Sequence, residues 1–214
     1  MTPTQRLITT LVILLAIVAG LYYYSTRPHG SIPSPISTSS PSASATATST
    51  PNAGIKLETP DYNKPIVFSA DISADIRAQL NAELATVQAD LAKNPLSVKD
   101  WVNLGTLHKM GGDYSNAALY WEYLASSYSG TGVPYYSLGD LYQNFLHDYT
   151  KAEADYKLAI QTDPTNVNAY ASLYTLYHYT LHDDTKAAAI LTAGLAANPG
   201  NNYLLGLQQE LQSQ

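Results

Sequence analysis

Residues 146–152 read LHDYTKA and residues 181–187 read LHDDTKA, identical at six of seven positions and 35 residues apart. Outward from this pair the same period returns. Ala117, Ala152 and Ala187 recur at 35 and 35, each followed four residues later by Trp121, Tyr156 or Leu191. Upstream, Trp101, Tyr135 and Tyr170 are spaced by 34 and 35. Leu104, Leu138 and Leu173 stand three residues after them, and Leu107, Leu141 and Leu176 three residues further on. His108, Tyr142 and Tyr177 come next, and Pro95, Pro164 and Pro199 close the units. A fixed period of this length marks stacked supersecondary units, none of which can bury its apolar faces alone.

The pattern resembles the tetratricopeptide repeat, W-x2-L-G-x2-Y…A-x3-F…P, in period, order and spacing. Unit one carries Trp101, Leu104, Gly105, His108, Ala117 and Trp121. Unit two carries Tyr135, Leu138, Gly139, Tyr142, Ala152, Tyr156 and Pro164, and unit three Tyr170, Leu173, Tyr177, Ala187, Leu191 and Pro199. The resemblance implies an all-α helical-hairpin solenoid of about three repeats, 98–131, 132–166 and 167–201, inside a domain of residues 61–214. Leu80, Leu84, Val87 and Leu91 form one helical stripe, which predicts a capping helix starting near Ser73 and stopping before Pro95. The stretch NYLLGLQQELQ, residues 202–212, predicts a second cap at the other end.

Gly105 and Gly139 are expected to let the second helix of each pair approach closely, with Ala117 and Ala152 as the matching small surface. Two departures stand out. Tyr174 occupies the place of Gly105 and Gly139, which predicts wider or differently angled packing in unit three. Units two and three carry one extra residue before the inter-helix turn, which predicts a longer first helix or a different turn. Residues 65–69 (PIVFS) predict a short extended segment on the domain surface.

The resemblance also implies a binding activity: stacked first helices line a concave groove that holds a protein or peptide partner. Matched by repeat position, that groove presents Lys99, Val102, Thr106 and Lys109 from unit one. Unit two supplies Val133, Tyr136, Asp140 and Gln143, and unit three Asn168, Ala171, Thr175 and His178. Relatives that clamp a chaperone's C-terminal carboxylate place Lys and Asn at fixed groove positions. Here those read Val102, Tyr136 and Ala171, which disfavours that ligand.

Residues 7–24 (LITTLVILLAIVAGLYYY) contain no charge and would span roughly 27 Å as a helix, close to the hydrocarbon thickness of a bilayer. Arg6 and Arg27 flank them, and Tyr22–Tyr24 fall where an interfacial aromatic belt belongs. Residues 1–24 are therefore expected to be a signal anchor. The alternative is a signal peptide cleaved after Ala19, which would release a soluble extracytoplasmic binder, of glycans through exposed Tyr among other ligands. The weak charge bias places the C-terminal domain outside the cytoplasm, on a single-pass anchor. Between anchor and domain, residues 25–60 hold 15 Ser or Thr and 6 Pro in 36 positions, a composition that cannot offset the entropy of ordering. They are expected to form a disordered linker.

Composition narrows the chemistry. The chain has no Cys, which removes disulfides, thiolate metal sites and Cys nucleophiles. Residues 61–214 carry 8 Lys+Arg against 16 Asp+Glu, the opposite of what a phosphate backbone attracts, so no nucleic-acid partner is expected. Phosphate-cradling and hydrolase motifs are absent from the sequence. No catalytic residues, metal or cofactor are expected. His178 and His182, four apart before Asp183 and Asp184, are the nearest approach to a metal pair, but His147–Asp148 repeats His182–Asp183 and marks the dipeptide as turn chemistry.

Overall fold

A computed structural model describes residues 58–128 and 130–213, all within the compact unit Thr50–Gln214. The anchor read at residues 7–24 and nearly all of the linker lie outside the described residues. Among the described residues, no helix is long and apolar enough to cross a membrane.

The architecture is helical. In chain order the elements are α1 (Ala74–Lys93), α2 (Val98–Met110), α3 (Tyr114–Ser127), α4 (Val133–Leu141), α5 (Tyr149–Thr162), α6 (Val167–Thr175), α7 (Asp184–Ala197) and α8 (Asn202–Gln212). α1 and α8 are the two expected caps, and α2–α3, α4–α5 and α6–α7 are the three hairpins. Short polar side chains set the starts, because a free helix N-terminus leaves backbone N–H groups without acceptors. Ser97 accepts from the Asp100 amide, Asn166 from Ala169 and Asn201 from Leu204. Every second helix of a hairpin opens with an aspartate: Asp113, Asp148 and Asp183 accept from the amides of Asn116, Lys151 and Lys186.

The extra residue of units two and three is absorbed as a π turn. α4 runs on as Tyr142–Leu146 and α6 as Leu176–Thr180, both with π-helical bonding. In unit one the turn closes from the Asp113 amide to the His108 carbonyl, a step of five residues; in the others it closes from Asp148 to Tyr142 and from Asp183 to Tyr177, a step of six. The longer step brings His147 (φ 55°) and His182 (φ 53°) into the left-handed region, where unit one uses Gly112 (φ 84°). An inserted residue that widens one helical turn leaves the phase of the next helix intact.

Two apolar clusters fill the solenoid. One gathers Ile66, Leu80, Leu84, Leu91, Trp101, Leu104, Leu107, Tyr120, Tyr123 and Leu124. The other runs from Ala117 and Trp121 through Leu138, Tyr156, Tyr170 and Leu173 to Leu191 and Leu204. α3 feeds both, which ties the first unit to the rest. Within each hairpin the contact differs from the expected glycine–alanine fit. The atoms nearest a Cβ on Gly105 belong to Trp121, and those nearest a Cβ on Gly139 belong to Tyr156. Unit three swaps the sizes: Tyr174 and Leu191 are both fully buried. The large side chain has moved to the first helix, so the volume between the helices is filled from the other side.

Residues 65–69 pack against the domain surface as expected, with Ile66 inserted into the first cluster and no strand pairing. The Ser69 amide donates to the Gly111 carbonyl (2.9 Å) and the Val67 amide to Asp113 Oδ2 (3.1 Å).

Candidate functional site: the row of first helices

α2, α4 and α6 carry the residues matched to a concave groove, and most stay in contact with solvent. Lys99, Val133 and Asn168 are exposed, at the N-terminal ends of the three helices. Val102, Thr106, Lys109, Tyr136, Asp140 and Thr175 are half-buried. Gln143, Ala171 and His178 are buried, at 8%, 5% and 8% exposure, and belong to the packing more than to the surface.

The structure brings several of these side chains together. Lys109 Nζ lies 2.7 Å from Asp140 Oδ2, a salt bridge that joins α2 to α4 with both groups about one quarter exposed. The same ammonium sits 5.4 Å from the centre of the Phe145 ring, a cation–π contact. Asp140 also accepts from Asn144 Nδ2 at 2.8 Å. Tyr136 packs its ring 6.0 Å from that of Tyr156. Burial pushes its hydroxyl above the ordinary phenol range, with a hydrogen bond to Ser172 of α6 acting in the opposite direction. Tyr136 therefore sits where units two and three meet.

The buried members are held from inside. Gln143 Oε1 accepts from the Tyr156 hydroxyl (2.9 Å), so a second-helix aromatic reaches through to the first helix. His178 stacks on Tyr174 (5.4 Å between centroids, 13° between planes) and bonds through Nδ1 to Asp184 Oδ1 at 2.6 Å. His178 and His182 do not share a helix face. The π turn ends at Thr180, and His182 is an exposed left-handed residue beyond it. Among the described residues, no three His, Cys, Asp or Glu gather where they could hold a metal ion. His108 is a core residue: fully buried, it bonds through Nδ1 to Asp113 Oδ2 at 2.8 Å.

The sequence reading missed an exposed apolar set at the C-terminal ends of the first helices: Met110 (44% exposed), Phe145 (38%) and Tyr179 (51%). Phe145 rests on Tyr114 at 4.9 Å, and the Tyr179 hydroxyl donates to Glu210 of α8. Phe145 and Tyr179 both lie in the π turns. The extra residue was the signal, because it displaces the end of the helix from the usual register.

The helical-hairpin solenoid of tetratricopeptide type defines the class of this chain's fold, and solved structures of low sequence identity share it. One structure of MamA matches at 17% identity over 65% of this chain and 80% of its own, with a TM-score of 0.50. A second MamA structure matches at 18% identity over 68% and 91%, again with a TM-score of 0.50. The Arabidopsis OM64 TPR domain aligns at 20% identity over 54% of this chain and 94% of its own, with a TM-score of 0.45. No family model matches the sequence, and no curated protein does.

Proposed function

We propose that this chain is a membrane-tethered interaction module that holds a protein or peptide partner against the row of first helices. The observation that carries this reading is the surface of that row, where nine of the twelve matched residues remain exposed or half-exposed across three successive helices. Aromatic, cationic, anionic and amide groups alternate there, the mixture that a peptide with both apolar and polar side chains requires. Tyr136 is the central anchor, flanked by Asp140 of the Lys109–Asp140 bridge on one side and Ser172 of α6 on the other. Central, partly desolvated aromatics carry a large share of interface energy. The excess of negative charge in residues 61–214 attracts a neutral or basic partner, a steering that weakens with salt.

Tethering rests on residues 7–24, with the domain outside the cytoplasm on a 25–60 linker. Mass spectrometry of the native N-terminus separates anchor from cleaved signal, since loss of residues 1–19 would mean release. The groove is tested by capturing partners from the source cells, then repeating the capture with Tyr136→Phe, Tyr136→Ala and Lys109→Ala. Binding lost in Tyr136→Ala and Lys109→Ala but kept in Tyr136→Phe supports the reading. Unchanged binding in all three moves the site off this face.

A further inference from the structure

Residues 58–69 form a strap that fills the groove between α1 and α3, two second-type helices. From α1, Gln88 Nε2 donates to the Lys64 carbonyl at 3.3 Å. From α3, the Tyr120 hydroxyl donates to the Asp61 carbonyl (3.1 Å), and Asn116 Oδ1 accepts from Lys64 Nζ (3.4 Å). Ile66 of the strap is 6% exposed, and Tyr62 meets Trp101 edge-on at 6.0 Å. The groove thus takes an extended peptide, reading its backbone with side-chain amides and hydroxyls.

Because the molecule repeats, the groove repeats. The second-type helices end in register at Asn94, Tyr128, Asp163 and Asn198. Counting back from these ends, Glu122 stands where Gln88 does, and by the repeat Tyr142 replaces His108, Lys151 replaces Asn116 and Asp155 replaces Tyr120. These four, with Leu138 and Ala154, line an open depression of about 190 Å³ between α3 and α5. One repeat further, Lys157, Tyr177, Lys186 and Ile190 line another of about 290 Å³ between α5 and α7. No strap lies in either among the described residues.

We propose that the α3–α5 groove docks an extended, basic segment of a partner protein, whose lysine or arginine side chain lies against Glu122 and Asp155, the carboxylates that stand where Gln88 and Tyr120 donate to the strap. The charge pattern selects that occupant. Glu122 accepts from the Tyr142 hydroxyl at 3.0 Å, while Lys151 turns its ammonium onto the Tyr142 ring (4.8 Å) and towards Asp148 (3.9 Å). Asp155 is half-buried and receives no hydrogen bond from the described residues. Burial, then Glu122 and Asp148, push its carboxyl up to about 7, against the pull of Lys151. A cation entering from a peptide supplies what the fold does not. The α5–α7 groove lacks this acidic pair, with Lys157 in the place of Glu122 and Ile190 in that of Asp155, and its two lysines are matched by Glu153 and Asp183, so a basic segment is directed to the first groove. The proposal uses none of the first-helix residues and stands or falls separately from the concave-face reading.

The test uses the full chain and two fluorescent peptides built on the strap, residues 60–69 with Asp61→Asn, one keeping Lys64 and one carrying Lys64→Glu. A photoreactive group replaces Tyr62, the strap residue that meets Trp101, in both. The expected result is at least tenfold tighter binding of the lysine peptide at low salt, with crosslinks to α3 and α5. In Glu122→Gln/Asp155→Asn that preference disappears while the melting temperature is not lowered, and Tyr136→Phe and Lys109→Ala leave it unchanged. Equal affinities, no binding, or a preference that survives the double variant would overturn the proposal. So would crosslinks to Trp101 or to the first-helix row, which would mean displacement of the chain's own strap or binding at the other face.

Discussion

Gly139 yields its side-chain space to Tyr156: a Cβ at residue 139 would stand 2.6 Å from Cδ1 of that ring, well inside van der Waals contact. Gly105 stands in the same relation to Trp121, at 2.4 Å from Nε1. Each pair lets a large ring of the second helix lie flat against the backbone of the first. The Tyr156 hydroxyl then emerges at Gln143, so this pairing also positions a side chain of the first-helix row.

Gly139→Ala is expected to destabilise by about 1–3 kcal/mol, the usual cost of overpacking a filled site. Tyr156→Leu, the size found at Leu191, removes the clash as well as the ring. The double variant should therefore be more stable than the sum of the two single effects predicts, by at least about 0.5 kcal/mol in urea melts. Strict additivity would mean that the two side chains do not share this volume.

His182 is exposed and holds a left-handed backbone, a conformation that costs an L-residue roughly 1–2 kcal/mol. Glycine adopts it freely but gives the unfolded chain more entropy to lose. His182→Gly should stabilise by roughly 0.5 kcal/mol, and His182→Val should destabilise by about 1 kcal/mol or more. Thermal melts at one pH decide it; equal effects would refute the strained turn.

His108 is held below the ordinary histidine range by burial, although its bond to Asp113 works against this. A histidine depressed in the folded state favours folding above its unfolded pKa of about 6.5, and the contribution is lost as pH falls below that value. Burial pushes the Asp113 carboxyl up, but hydrogen bonds from Asn116, His108 and the Val67 amide outweigh it and hold the group below its ordinary range. The wild-type melting temperature should fall between pH 7.5 and 5.5, and His108→Gln, which cannot titrate, should lose less over that interval. An identical loss in both would place the titrating group elsewhere.

Asp155 has the opposite sign. Its carboxyl, raised from 3.8 to about 7, holds its proton more tightly when folded. The contribution favours the folded state at low pH and is lost as pH rises from about 4 through 7. Asp155→Asn should raise the melting temperature at pH 8 and change it less at pH 5. A stabilisation equal at both pH values would remove the buried acid as its cause.

The period of 34–35 residues, the two caps and the His-Asp turns of units two and three were legible because each rests on local chemistry. Capping and the 3.6-residue stripe need only neighbours within a turn or two, so α8 lies at Asn202–Gln212, the stretch read from its Leu and Gln pattern. The first-helix row was legible for the same reason, as a matter of register. Which of its members stay at the surface was not. Gln143 is claimed by Tyr156 and His178 by Tyr174 and Asp184, contacts that only the folded hairpin closes. The π turns were visible as a surplus residue, but its resolution into a left-handed histidine depended on two helices having to keep their packing phase. The strap is the furthest from local rules. Asp61 meets Tyr120 and Lys64 meets Asn116 across more than 50 residues of chain, and no periodicity within residues 58–69 encodes the groove that holds them.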